Sequence, residues 1–259
     1  MTATASLSDV NKIEESLGLK ESKHVIGNPN RPNICYEKVL MQRKDIDSIQ
    51  TILRPVAQGL MDLKVDYPLT IIYLPLRWCG FAYKFFEFVL GRSQYYQEDV
   101  QAIPENRLFA QFHAAQTIQM KNEILRQMCS AKSVVRVIFA TIAIGMGVDV
   151  PNIRQIIHIS PPGTVKQYFQ ETGRAGRDGK PASAILYYSN RDIGKNIAGM
   201  DDSMRNFCKN DACLRKELLK SLDFMSHDIM HPLHLCCSVC KKACKCCECL
   251  KELMESLCE

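Results

Sequence analysis

What this sequence has little of narrows its reading first. No apolar run approaches the eighteen or so residues needed to span a bilayer, and the first fifteen residues, MTATASLSDVNKIEE, lack the basic and apolar regions of a secretory leader. The expectation is an intracellular protein with no membrane partner. Charge of one sign is not in strong excess. The 33 basic and 28 acidic residues leave a net +5, compatible with a nucleic-acid partner but too small to demand one. There is no G-x-x-x-x-G-K-[ST] loop to cradle nucleotide phosphates, and no D-E-x-H or D-E-x-D box to hold magnesium. Unaided nucleotide hydrolysis is therefore not expected. Cysteine is scarce up to residue 200, where only Cys35, Cys79 and Cys129 occur, and the other ten of the thirteen crowd the remainder. In a reducing compartment such crowding signals metal ligands rather than disulfides, and the shift marks a domain boundary near residue 200.

A chain of 259 residues with 46% hydrophobic content can build one domain of ordinary size and a smaller one. Residues 8–18 read as a short helix with Ser8 as N-cap, and HVIGNPNRPN after it reads as a connector. Strands are expected at 34–40, 70–74, 134–140, 154–160 and 183–189, and helices at 45–63, 82–90, 120–128 and 165–172. Short β-rich runs alternating with helices predict an α/β fold with a mostly parallel sheet covered on both faces. Ligands of such sheets gather at the C-terminal strand ends.

Two stretches carry candidate chemistry. The strand VVRVIFA runs into TIAIGMGVDVPN, where Thr141, Gly145 and Gly147 offer a hydroxyl and unhindered amides for close approach to phosphate or sugar. Asp149 could accept hydrogen bonds from a ribose. Further on, QYFQETGRAGRDG sets Gln170, Arg174 and Arg177 at helical spacing as one polar face, and guanidinium groups are suited to charge on a transferring phosphoryl group. Taken singly, a glycine at a strand end is usually a turn and two helical arginines are usually solvated.

Together, TIAIGMGVDVPN and QETGRAGRDG resemble motifs V and VI of the RecQ helicases, within the larger superfamily-two helicases. RLFAQFHAAQT with His113, TIIYLPLRWCG in the place of motif IV, and NRPNICYEKV before them extend the resemblance, while Thr2, Ala3, Thr4 and Ala5 look like the end of motif III. The resemblance implies a RecA-like lobe at 34–191, preceded by a remnant of the first helicase domain and a linker at 1–33. A zinc-binding module at 192–250 and a cysteine-rich tail to 259 would complete the chain. It implies the C-terminal portion of an ATP-dependent 3′–5′ DNA helicase, nuclear where the cell has a nucleus. ATP and Mg²⁺ would be shared with an absent first motor domain, Arg177 would be the arginine finger supported by Arg174 and Gln170, and Asp149, Gly147 and Gly145 would face the nucleotide. Single-stranded or junction DNA would be met without sequence preference by Thr141, His113 and Arg154. The alternative is a non-catalytic module that only binds nucleic acid or protein.

In the cysteine-rich part, Cys237 and Cys240 form C-x-x-C, a spacing that lets two thiolates of one turn reach a single Zn²⁺ at about 2.3 Å. Cys213 would join them from a helix start, with His234 in the fourth place and Cys236 as the competing choice. This set resembles the RecQ zinc module, which implies bound Zn²⁺. Cys208 reads as a plain buried thiol. The group Cys244, Cys246, Cys247 and Cys249 is irregularly spaced and could hold a second metal.

Overall fold

The computed structural model describes residues 7–256 apart from 98, 131, 142–149, 151 and 226–229. Six strands form one parallel sheet: β1 (Ile34–Met41), β2 (Leu69–Tyr73), β3 (Phe109–Phe112), β4 (Val137–Ala140), β5 (Ile153–Ile159) and β6 (Ala182–Ser189), in the order β1-β6-β5-β2-β4-β3. The sequence LTIIY of β2 and VIFA of β4 are buried at every position, the mark of central strands covered on both sides. Because successive side chains point to opposite faces, Ile71 and Ile72 feed two separate cores.

Helices α2 (Ile46–Leu63) and α3 (Leu76–Leu90) close one face. Asp45 caps α2 by accepting the Ser48 N–H at 2.9 Å, and Ile49, Leu53, Val56 and Leu60 recur at helical spacing on its buried side. Phe86 of α3 meets Phe109 and Phe139 edge to face, with centroids 5.4 and 4.8 Å away. The opposite face is covered by α4 (Ile118–Cys129), α5 (Val165–Thr172), α6 (Asp202–Lys209) and α7 (Leu214–Lys220). At the N-terminus, α1 (Leu7–Leu17) is tied to α5 by an ion pair between Asp9 and Lys166. No helix among the described residues is long and apolar enough to cross a membrane.

The structure corrects several expectations from sequence: α1 already includes Leu7, so Ser8 lies inside the helix rather than at its N-cap, and the strand expected at 134–140 begins only at Val137. Helix α3 begins at Leu76 rather than near residue 82, because the carbonyl of Pro75 accepts the Trp78 and Cys79 N–H groups and so opens the helix at once. Strand β3 has no counterpart among the expected strands, since it is a four-residue edge strand in which only Phe109 and Phe112 are buried.

The cysteine-rich part is built into this core rather than hung from it. Met204, Phe207, Leu214 and Leu218 pack in the same cluster as Ile34, Tyr36 and Tyr168. Cys208 is fully buried there, and loss of solvation pushes its thiol up to about 12. Arg215 of α7 is only 6% exposed and fastens the join. Its guanidinium donates to Asn30 Oδ1 at 3.1 Å and to the carbonyls of Arg31 at 2.6 Å, Ile34 and Cys236 at 3.4 Å, and lies over the Tyr36 ring.

Replacing Arg215 by Met keeps the length but removes the donor to the Arg31 and Ile34 carbonyls, while the Cys236 carbonyl keeps the Tyr36 N–H, so a loss of about 3 kcal/mol is expected. For a chain of this size that is a fall of roughly 6 to 12 °C in Tm by calorimetry; an unchanged Tm would refute the role of this residue.

Candidate functional site

The segment with the two arginines is assembled by α5 and the turns at its C-terminal end. Thr164 caps α5 by accepting the Gln167 N–H at 3.0 Å, and the Thr172 hydroxyl donates back to the Tyr168 carbonyl at 2.8 Å. The helix stops there and Gly173 begins a run of turns. Gly176 has φ +58°, and a Cβ at that position would meet Asn33 Nδ2 at 2.3 Å and the Lys180 carbonyl at 2.8 Å, so only glycine fits. Arg31 donates to the carbonyls of Gly173, Ala175 and Gly176 at 2.9, 3.0 and 2.8 Å, and Asn33 donates to that of Gly176 at 2.7 Å. Gly176 N–H in turn binds the Ile153 carbonyl at the start of β5.

This geometry revises the expected helical face of Gln170, Arg174 and Arg177. Gln170 is exposed on α5, whereas Arg174 and Arg177 lie beyond the helix end, the first half-buried and the second exposed. The two arginines share a narrow crevice with Val150, Ile153, Leu125 and Met128. Asp149, Gly147 and Gly145 lie outside the described residues.

At the C-terminal ends of β2, β4 and β5 lies a separate cleft of about 360 Å³, lined among others by Tyr73, Thr141, His158, Ser160, Gly163 and Glu171. Under it is a buried polar cluster that sequence reasoning missed. His158 Nε2 is 2.8 Å from Glu171 Oε2, Gln167 donates to Glu171 Oε1 at 3.0 Å, and Tyr73 stacks on the imidazole with centroids 4.7 Å apart. Burial pushes the Tyr73 phenol well above its ordinary range, partly offset by the nearby Arg174 guanidinium. Gln167 and Glu171 sit four apart on α5, which was a visible signal; that they meet His158 depends on how α5 packs over β5.

His113 comes directly after β3, at the same sheet edge as Thr141, whose N–H binds the Phe112 carbonyl at 3.1 Å. It lines a larger, mainly apolar groove of about 710 Å³ with Tyr83, Gln111, Gln116, Met120 and Ile124. Arg154 is not with them. It stands at the start of β5, the opposite end of a parallel sheet, bound to Asp178 at 2.6 Å and to the Pro181 carbonyl at 3.3 Å.

The cysteines converge next to β1. Cys213 precedes α7, Cys236 and Cys237 come after a 3-10 turn at Leu233–Leu235, and Cys240 lies in α8 (Ser238–Lys241). Their four sulfurs lie within 4.8 Å of one another, with Cys213 at 3.6 Å from Cys236 and 4.0 Å from Cys237. Metal–sulfur bonds of about 2.3 Å make a tetrahedron with edges of about 3.8 Å, so the four residues fit a zinc ion. The fourth member of this group is Cys236, not His234. Tyr36 N–H holds the Cys236 carbonyl at 3.3 Å, so the chain enters beside β1 and turns His234 away, toward Cys244, Cys246 and Cys249.

Comparison with known proteins agrees with this architecture. The helicase conserved C-terminal domain family matches residues 83–179. A putative ATP-dependent DNA helicase Q1 of Caenorhabditis briggsae is 28% identical over 96% of the chain, and ATP-dependent DNA helicase Q-like 4B of Arabidopsis thaliana is 31% identical over 74%. The chain corresponds to the C-terminal region of a RecQ-type superfamily-two helicase. It spans 37% of the C. briggsae relative and 14% of the Arabidopsis one. The fold is shared with S. cerevisiae Dbp5 bound to RNA and ADP BeF3, at a TM-score of 0.54 and 13% identity over 87% of this chain and 49% of that one.

In this RecQ-type lobe Arg31 is the brace of the arginine turn. Arg31→Ala is expected to cost about 1.5 to 3 kcal/mol in urea denaturation and to speed hydrogen exchange at the Gly176 amide. Unchanged exchange there would show that the turn holds its own shape.

Proposed function

We propose that this lobe works as the second half of an ATP-dependent 3′–5′ DNA-unwinding motor, acting on DNA in the nucleus of a nucleated cell. Residues 34–191 form the RecA-like lobe in this reading, 192–250 the zinc module, and 1–33 the lead-in from a first motor domain. The observation that carries the proposal is the arginine turn: Arg177 is exposed while the backbone beneath it is pinned by Arg31 and Asn33. A guanidinium held in this way can be presented to phosphates bound by another lobe without the entropic cost of ordering a loose turn.

In this mechanism ATP and Mg²⁺ are held by the first RecA-like domain, since the present sequence contains no phosphate loop and no acidic box. Arg177 neutralises charge developing on the transferring phosphoryl group, and Arg174, half-buried beside the Tyr73 phenol, supports it. Thr141 and His113 share one sheet edge and meet the DNA backbone there, positioning a strand without reading its bases. Arg154, engaged with Asp178 at the other edge, is left out of that role. Cys213, Cys236, Cys237 and Cys240 would hold a structural zinc, which would supply a cross-link between the start of α7, the 3-10 turn at Leu233–Leu235 and α8, with a binding energy on the order of 10 kcal/mol.

Two measurements test this reading. Joined to the phosphate-loop domain of a RecQ-type relative, the chain should hydrolyse ATP in a DNA-stimulated manner, and Arg177→Ala should lower the rate by roughly 10³- to 10⁵-fold. Full turnover in the Arg177→Ala protein, or Arg177-dependent ATP turnover by the present chain on its own, would overturn the two-lobe assignment. Second, affinity for unrelated single-stranded oligonucleotides should fall steeply with salt and drop several-fold in His113→Ala, while Arg154→Ala leaves it unchanged. The opposite pattern would move the DNA path to the other sheet edge.

A further inference from the structure

The residues that the zinc centre leaves aside come together in a second constellation. His234, Cys244, Cys246 and Cys249 bring one nitrogen and three sulfurs within 4.8 Å of one another. His234 Nδ1 is 3.6 Å from Cys244 Sγ and 3.2 Å from Cys246 Sγ. With metal–nitrogen and metal–sulfur bonds of about 2.0 and 2.3 Å, a tetrahedral site has nitrogen–sulfur edges of about 3.5 Å. The other imidazole nitrogen, Nε2, lies 3.2 Å from Glu248 Oε2, the arrangement in which a carboxylate fixes the ring and its tautomer so that the opposite nitrogen can ligate.

Burial along this stretch tracks ligand chemistry and not hydrophobicity. Between residues 241 and 250 only Cys244, Cys246 and Cys249 are half-buried, and every other residue is exposed. Leu250 is 47% exposed, and Cys247, of the same chemical type as its neighbours, is exposed as well. If apolar burial organised the segment, Leu250 would be drawn in before three thiols. Convergence on a common point explains the selection. A turn after α8, in which Ala243 and Cys244 N–H bind the carbonyls of Cys240 and Lys241, swings Cys244 back toward His234, and α9 (Cys247–Ser256) then brings Cys249 around in its first turn.

We propose that His234, Cys244, Cys246 and Cys249 form a second zinc site, distinct from the four-cysteine centre and joining α9 to the 3-10 turn beside β1. Three thiolates and one neutral imidazole suit Zn²⁺ and leave the site with one net negative charge, which the flanking Lys242, Lys245 and Lys251 balance. His234 is already fixed on the β1 side, where its carbonyl accepts from the Cys35 thiol at 3.5 Å. The metal therefore fastens α9, in which Cys247, Glu248, Leu250, Lys251 and Glu255 are exposed, to the module, and it uses none of the sulfurs of the first centre.

Metal analysis of the full chain, purified in the presence of a thiol reductant, decides the matter, because reductant removes any disulfide among these cysteines but not a bound metal. Two zinc ions per chain are expected, falling to one in Cys246→Ser and in His234→Ala. His234→Cys should retain two, and in the cobalt-substituted protein should move the visible absorption toward that of an all-sulfur site, a response that a merely structural histidine would not give. One zinc per chain, unchanged by Cys246→Ser, overturns the second site and leaves the first in place. No zinc in the unaltered chain overturns both.

Discussion

A buried guanidinium holds the two parts of this molecule in register. Arg215 comes from the helix that begins just after Cys213, yet its acceptors are the approach to β1, β1 itself and the carbonyl of Cys236. A planar group with five donors is suited to this work, since several carbonyls that would otherwise be buried without partners are satisfied from one side chain. Arg31, whose carbonyl receives Arg215, extends its own guanidinium to three carbonyls of the arginine turn. The cysteine centre, the first strand and the turn that presents Arg177 are thus consecutive members of one hydrogen-bonded series. None of the three is placed independently of the others.

The sheet beneath them separates tasks by edge and by face. Parallel strands put Thr141 and the segment after Phe112 at one end, and the start of β5, where Gly176 is anchored, at the other. The helix α5 bridges the two ends, with Glu171 against His158 near the first and the arginine turn running on to Ile153 at the second. A polar cluster under the cleft and a cationic turn beyond it are therefore linked through the C-terminal end of α5, Glu171 lying three residues before Arg174, a short lever whose register is fixed by a buried imidazole and carboxylate. Such engaged buried polar groups are costly to misplace, which makes them good determinants of a unique helix position.

Metal-ligand chemistry takes over where the hydrophobic core ends. Beyond Leu222 the described residues include few buried apolar side chains, Cys236 and Cys237 being the last in the core. A segment so poor in apolar contacts cannot offset its own ordering entropy by burial alone. Ligand side chains that converge on a point would supply the missing cohesion with a metal bound, and they would do so with residues that look polar and solvated when read one at a time.

Periodicity and composition determined a good deal: the α/β class, the central strands around TIIY and VIFA, α5 to the residue, and the cysteine-rich part as the place where side chains able to ligate a metal crowd together. These features are local, because uninterrupted apolar runs and helical spacing are dictated by neighbours in the chain. The short edge strand β3 is not legible in the same way, since half its side chains are only partly covered and four residues give too little alternation to read. Packing decided the rest. Spacing alone allowed Gln170, Arg174 and Arg177 to share a helix face, but Gly176 is held in a positive-φ turn by Asn33, more than a hundred residues away. In the same way H-x-x-C-x-x-C left His234 and Cys236 as rivals for one ligand position, and the hydrogen bond from Tyr36 of β1 to the Cys236 carbonyl separated them into different clusters. Sequence spacing fixes which side chains can point the same way along one element; which of them actually meet is set by the contacts between elements distant in the chain.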